Sequence, residues 1–426
     1  MIWKYKQSND LTGRKEAAWE GRIRIAIRVD ANAEIAMGHL MRCLSVAEEL
    51  ERRGAEVVFF VSEEEAGRVL AERGRRHVCL KGSYKEKERE LPALLQLLGE
   101  YGASCVLLDS YEVTPAYMRA LQDRAPLVYL DDLNAFCYPA DVVVNYTTGI
   151  RKTAYTKKFR GYEGWECESE IGAEQGSRSN KSQDWAERNS ESEDGTVRSC
   201  GSSASCDCTD LDGMHSAKFL LGSRYVPLRA EFSAERIPIR ERIEAILITS
   251  GGADGCDMLR GAAGCLSRER FPGVRKHIVA GRFCGHLREL EEMAEEDESI
   301  VVHRDVQNMA ELMRKCDLAV SAGGTTLAEL CACGIPTVCY ASADNQLAGL
   351  RAYGEAGLAL YAGDVREDRE AVLESIARSA ERLAGEPVLR GRLGAAAKAA
   401  IDGRGAGRIA EAILSVAELY SDRYCK

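Results

Sequence analysis

Short apolar runs and longer stretches of helical spacing alternate along the chain. RIRIAIRVD (22–30) reads as a strand from its alternation and β-branched content. A turn-like stretch, ANAEIAMGH (31–39), leads into LMRCLSVAEELERRG (40–54), a helix by spacing that stops at Gly54. Further strands are predicted at 56–62, 104–110, 126–132 and 141–146, with a helix at 115–124. The pattern restarts at 245. Strands at 245–252, 276–281, 299–303, 318–324 and 336–340 alternate with helices at 257–269, 286–296, 308–316 and 325–334. Another helix begins within 341–346, and helices fill the rest. Such alternation implies βαβ crossovers and parallel sheets. Two units in tandem predict an α/β protein of two Rossmann-like domains facing a cleft, with ligands at the carboxyl ends of the strands.

Between the units the apolar period vanishes. Residues 151–217 are rich in Ser, Glu, Gly, Asp and Asn and cannot bury enough surface to offset their ordering entropy. The expected organisation is therefore a flexible extension at 1–20 and a first Rossmann-like domain at 21–150. A low-complexity insertion at 151–217 follows, then the end of the first domain and a linker at 218–240. A second Rossmann-like domain at 241–408 and a carboxyl-terminal helix at 409–426 complete the chain.

Composition narrows the function classes. The chain has 426 residues, 45% hydrophobic and 29% charged, as in globular proteins generally, and a net charge of −10 argues against a broad nucleic-acid surface. No apolar run is long enough to span a membrane, and the first twenty residues lack a signal-peptide core, so a cytoplasmic protein is expected. Most of the 16 cysteines sit singly in apolar segments, among them Cys43, Cys79, Cys105, Cys265, Cys316, Cys331, Cys333 and Cys339. They read as buried free thiols. Cys200, Cys206 and Cys208 cluster without a second pair at zinc-ribbon spacing, so no metal or cofactor is expected.

Candidate chemistry falls at strand ends. Ser321-Ala322-Gly323-Gly324-Thr325-Thr326 lies between a strand and a helix, where glycines, free N–H groups and the helix dipole favour a phosphate. Glu329, expected on that helix's first turn, can bridge ribose hydroxyls. Asn345 and Gln346 open the next helix and offer amides to a sugar. In the first unit Asp30 ends a strand and Gly38-His39 opens a helix. An imidazole at a helix N-terminus favours its neutral, proton-accepting form, and Asp30 is expected either to orient it or to bind a sugar. Asp109, Ser110, Tyr111, Asp131 and Asp132 rim the same edge, and Gly251-Gly252 with Asp254 forms the matching turn of the second unit.

Together these segments resemble the UDP-sugar hydrolases of the pseudaminic acid pathway, the PseG type, and the related MurG-like glycosyltransferases of the GT-B fold. The match runs through Arg28-Val29-Asp30-Ala31, Ile35, Gly38-His39 and Met41-Arg42-Cys43-Leu44. It continues through Asp109-Ser110-Tyr111, Asp131-Asp132, Asp141 to Asn145, Leu221-Gly222, Tyr225, Leu228-Arg229 and Phe232. It extends to Gly251-Gly252-Asp254, the 321–329 loop, Gly334-Ile335-Pro336 and Asn345-Gln346. Ala36 departs from the family's Ile-Gly-x-Gly-His turn, Asn32 stands where Ser is usual, and the insertion has no counterpart.

The resemblance implies hydrolysis of UDP-2,4-diacetamido-2,4,6-trideoxy-β-L-altropyranose to UDP and the free sugar. His39 would be the base and Asp30 its neighbour. UDP would lie on Ser321, Gly323, Gly324, Thr325, Thr326 and Glu329. The sugar would lie by Gly38, Asp109, Tyr111, Asn345 and Gln346. The alternatives are a MurG-like transferase that passes the sugar to an acceptor, and a non-catalytic nucleotide-sugar binder with 151–217 as a docking arm. The expected partner is a small UDP-sugar.

Overall fold

The computed structural model describes residues 22–32, 37–136, 138–159, 217–235, 240–252, 254–281 and 284–424. The extension at 1–20, most of the polar insertion with its cysteine cluster and His215, and Ile35 and Ala36 lie outside the described residues.

Seven parallel strands form the first sheet: β1 (Arg24–Val29), β2 (Glu56–Val61), β3 (His77–Cys79), β4 (Cys105–Asp109), β5 (Leu127–Leu130), β6 (Val142–Asn145) and β7 (Lys218–Leu221). Their spatial order is β3-β2-β1-β4-β5-β6-β7. The connecting helices are α1 (Gly38–Arg52), α2 (Glu64–Glu72), α3 (Lys87–Tyr101), α4 (Pro115–Gln122) and α5 (Lys152–Phe159). Three elements of this domain, α2, β3 and α3, went unseen in the apolar pattern. β3 is three residues long, and α3 buries Lys87 and Glu90 among its leucines, which breaks the helical stripe. The first residues of the segment read as a loose excursion are ordered. α5 occupies its first residues, and Tyr155 is 1% exposed, its hydroxyl bonded to Asn145 and Asp131.

The second sheet holds six parallel strands: β8 (Ala245–Thr249), β9 (Arg275–Val279), β10 (Ile300–His303), β11 (Leu318–Ala322), β12 (Thr337–Ala341) and β13 (Leu360–Asp364). The order is β10-β9-β8-β11-β12-β13. Around it lie α6 (Met258–Cys265), α7 (Leu287–Glu296), α8 (Met309–Arg314), α9 (Thr325–Cys333), α10 (Asp344–Glu355), α11 (Arg369–Gly385) and α12 (Pro387–Ala400). β13 corrects the expectation that only helices follow the last predicted strand. It is an edge strand of half-buried residues, with no apolar alternation to reveal it. The architecture is otherwise the expected pair of parallel, Rossmann-like domains.

In each sheet the strand order reverses direction between two neighbours, β1 and β4 in the first, β8 and β11 in the second. Crevices open above such switch points.

The last helix, α13 (Gly405–Tyr424), returns to the first domain. Ile409, Ala410, Ile413 and Ala417 share a core with Leu40, Cys43, Leu44 and Leu50 of α1. The crossing is tight because it uses glycine. A Cβ on Gly405 would lie 2.2 Å from the carbonyl oxygen of Val226, and Gly403 has φ +76° with its Cβ position 2.6 Å from that of Phe232.

Ten cysteines among the described residues are free. Cys43, Cys105, Cys316, Cys331, Cys333 and Cys339 are buried, whereas Cys79 and Cys265, expected inside, are half-buried. No helix among the described residues is long and apolar enough to cross a membrane. Nor do the described residues bring three His, Cys, Asp or Glu side chains into a metal-binding group.

Candidate functional site

His39 is the second residue of α1, which starts with no side-chain cap and no acidic residue in its first turn. Its ring is 5% exposed, and Nδ1 lies 2.5 Å from Asp109 Oδ1. Register places Asp109 opposite Val29, so the end of β4 meets the start of α1 at the switch point. Nδ1 also lies 3.0 Å from Arg42 Nη2, but the shorter carboxylate contact requires the proton on Nδ1. Nε2 is then the basic nitrogen. The Tyr111 ring packs edge-on against the imidazole at 4.4 Å and 88°. Tyr111 is 37% exposed and donates to Asp132 Oδ2 at 3.1 Å. A Cβ on Gly38 would meet nothing within 4 Å, so the space above the helix start is open.

Asp109 is fully buried and accepts several bonds. Arg42 Nε and Nη2 reach its two oxygens at 2.6 and 2.5 Å, and Cys43 Sγ lies 3.3 Å away. Burial alone would raise this carboxyl. The charge and hydrogen bonds of Arg42, and then of His39, outweigh it and hold the group well below the usual carboxylate range. Arg42 also spans to Asp132 Oδ2 at 2.9 Å and to the Tyr146 hydroxyl. Arg42 matched the family pattern, but its role as the clamp on Asp109 was not foreseen. Its position three residues after His39, on the same face of α1, was the available signal.

Asp30 does not orient His39. Its carboxylate turns inward, with Oδ2 2.5 Å from Lys87 Nζ and 2.6 Å from Ser110 Oγ, and Oδ1 2.8 Å from Arg28 Nη1. Glu90 completes the cluster with a bidentate pair to Arg28 at 2.8 and 2.9 Å. Burial and the neighbouring Arg28 lower the Lys87 amine to about 8 against the opposing pull of Asp30 and Glu90. Two cations buried under one sheet edge draw Asp30 away from the imidazole, and Asp109 takes that place. Asp131 is structural as well, accepting the N–H groups of Leu133 and Asn134 and the Tyr138 hydroxyl.

At the second switch point the glycine loop joins β11 to α9. Gly323 packs inward, where a Cβ would lie 2.8 Å from Leu350 and 3.1 Å from Gln346 of α10. Gly324 faces outward at φ +135° with nothing within 4 Å of its Cβ position. α9 has no side-chain cap, so its first N–H groups are free to bind an anion beside the exposed Thr325. Thr326 follows, half-buried.

Several assigned side chains sit elsewhere than expected. Ser321 is fully buried and its hydroxyl donates to the Ala322 carbonyl at 2.9 Å, so it offers nothing to a ligand. Gln346 is a loop brace. Its Nε2 donates to the Gly323 carbonyl at 3.0 Å and its Oε1 accepts from the Ser342 N–H at 2.9 Å. Asn345 is the second residue of α10. Asp254 caps α6 through the N–H groups of Met258 and Leu259 at 2.8 and 3.0 Å. Glu329 is the fifth residue of α9, one turn deeper than expected. Its nearest cation is Arg229 Nη2 at 3.7 Å. Burial raises its carboxyl to about 7 against the pull of Arg229, and Glu231 adds to the rise.

Several known proteins are similar to this chain. A family model described as "Protein of unknown function (DUF354)" matches residues 278–386. An uncharacterized protein, MJ1062, of Methanocaldococcus jannaschii is 22% identical over 329 residues, covering 74% of this chain and 55% of that protein. A UDP-N-acetylglucosamine–N-acetylmuramyl-(pentapeptide) pyrophosphoryl-undecaprenol N-acetylglucosamine transferase of Sorangium cellulosum is 31% identical over 206 residues, covering 45% of this chain and 48% of that enzyme. The chain thus spans about half the length of the curated relatives it matches. Among solved structures, MurG of Acinetobacter baumannii superposes with a TM-score of 0.57 at 12% identity, covering 92% of this chain and 99% of that one. The calicheamicin glycosyltransferase CalG4 superposes with a TM-score of 0.55 at 15% identity, covering 95% and 100%. At these identities the likeness shows the fold, which is that of the GT-B glycosyltransferases.

Proposed function

We propose that the chain is a nucleotide-sugar-dependent glycosyltransferase whose second domain holds the UDP diphosphate and whose first domain supplies His39 as general base. The observation that carries the reading is the pairing of two uncapped helix starts at two switch points. One bears an open glycine loop, the other an imidazole held by a buried carboxylate. The glycosyltransferase relatives support transfer over hydrolysis. Gly324, Thr325 and Thr326 take the diphosphate, and ionised Glu329 accepts the ribose hydroxyls. His39 Nε2 takes the proton of an acceptor hydroxyl as its oxygen forms the bond to the anomeric carbon. The bond to the diphosphate breaks, UDP leaves with the electron pair, and the α9 N-terminus stabilises the growing charge.

A second reading keeps these parts and puts water in place of the acceptor. It would hydrolyse UDP-2,4-diacetamido-2,4,6-trideoxy-β-L-altropyranose. The 5% exposure of His39, close under Tyr111, favours it because a small nucleophile fits beside a nearly covered base. The two are separated by measuring UDP release from UDP-N-acetylglucosamine and from the diacetamido sugar nucleotide, with and without a pyrophosphoryl-undecaprenol-linked sugar. Release that requires the acceptor is expected. Steady release from the diacetamido compound without it rejects transfer in favour of hydrolysis.

Glu329 gives a further test. Its folded value of about 7 lies above its ordinary 4.5, so between these values the folded protein holds more protons than the unfolded chain. Stability is therefore highest below the window and falls as pH rises through it. Glu329→Gln removes the buried charge and is expected to be more stable than wild type at pH 8, by on the order of 2 kcal/mol, in thermal melts. The same variant is expected to bind UDP about tenfold more weakly, since a ribose diol loses its ionised acceptor. The rise in UDP affinity between pH 6 and 8 should also be smaller than in wild type.

A further inference from the structure

Tyr146 belongs to the first domain by sequence, directly after β6, but its ring packs against the core of the second domain. Tyr353 of α10 packs against the same core. Gly149 continues along the same helix, and its Cβ position is 4.0 Å from that of Ala352. The other side of Tyr146 faces the candidate base. Its hydroxyl meets Arg42 Nη1, and the Arg42 guanidinium carbon lies 5.5 Å from the ring centroid. Arg42 in turn holds both oxygens of Asp109, and Asp109 holds His39.

The far end of α10 is locked to the glycine loop. Gln346 grips the Gly323 carbonyl, and Leu350 packs closely on Gly323, whose Cβ position lies 2.8 Å from its side chain. One helix therefore touches the loop through Gln346 and Leu350, and the segment that carries Tyr146 through Ala352. Close-packed contacts leave no slack to absorb a shift of a few tenths of an ångström, and a guanidinium–phenol bond is directional.

We infer that Tyr146 is a positioning residue that couples occupancy of the glycine loop to the setting of the His39–Asp109 pair, through α10 on one side and Arg42 on the other. The inference rests on the reading that this loop takes a nucleoside diphosphate. Coupling of this kind is reciprocal: whatever UDP does to the imidazole setting, that setting does to UDP binding.

The test uses the full chain with UDP as the probe. Its affinity is measured by calorimetry, and the His39 ring resonances are followed by NMR after labelling with isotopic histidine. Those resonances are assigned by their loss in His39→Ala. In wild type, UDP is expected to shift the His39 signals. Tyr146→Phe keeps the ring and removes only the hydroxyl; it is expected to bind UDP within about twofold of wild type while the His39 signals stay in place. Leu350→Ala, which loosens α10 from Gly323 without touching the first domain, is expected to diminish the shift as well. Equal shifts in Tyr146→Phe and wild type, or no shift in a wild type that binds UDP, overturn the coupling and leave the nucleotide reading intact. Absence of UDP binding to wild type overturns that reading and the coupling with it.

Discussion

Substitution of His39 by alanine is expected to lower turnover of the UDP-sugar by about 10³-fold while leaving UDP affinity within about twofold, because a general base contributes at the reacting atom and not at the diphosphate. The geometry sets this split. His39 stands on α1 at the carboxyl edge of the first sheet, and the glycine loop leads into α9 at the edge of the second. The ring is nearly buried, so the variant also opens a cavity beside Tyr111, and a modest fall in melting temperature is expected. Initial-rate kinetics together with calorimetry for UDP measure both halves. Turnover near that of wild type rejects His39 as the base under transfer and hydrolysis alike. Loss of UDP binding in parallel with turnover rejects the division of labour between the domains.

Asp109→Asn is expected to do comparable damage by a different route. The carboxylate fixes the proton on Nδ1, and an amide in its place can present its NH₂ to that nitrogen and reverse the tautomer, which takes the lone pair from Nε2. Turnover should fall by on the order of 10³-fold or more. The substitution also leaves the Arg42 guanidinium beside a neutral partner at its most buried contact, where Nε and Nη2 now meet the two carboxylate oxygens. Breaking a buried ion pair from one side costs about 3 kcal/mol or more, read as a fall in the denaturant midpoint. The acid limb follows with a definite sign. Asp109 is held below its unfolded value, so its contribution is complete above about pH 4 and is lost as pH falls toward the folded value. The variant lacks that part of the wild-type acid transition. If its midpoint matches wild type at pH 7, the pair with Arg42 is not what holds this corner together.

What could be read in advance was whatever repeats. Strand and helix alternation gave both sheets because the buried β strands are continuous apolar runs such as VVVN in β6 and AILIT in β8. Elements lacking that signature escaped, and each has a physical reason. β13 is an edge strand with no buried face to mark it, and α3 spends core positions on Lys87 and Glu90. In the site, chain position was legible and side-chain partnership was not. His39, Asp109 and Tyr111 do come together. The choice between Asp30 and Asp109 as the imidazole's partner depended on where Arg28, Lys87 and Arg42 place their charges, and three cations from three helices or strands cannot be assigned to two carboxylates from spacing alone. Ser321 and Gln346 turn to the backbone for a related reason, since a polar side chain at a strand end or a helix start satisfies the backbone first when it is within reach.

The return of α13 to the first domain bears on how the chain is assembled as it is made. The interior of the second half draws on residues no later than Ile401. The interior of the first half is incomplete until Ile409, Ile413 and Ala417 have left the ribosome. The half synthesised earlier is therefore the half that matures later, and during that delay the apolar face of α1 is a natural target for a chaperone.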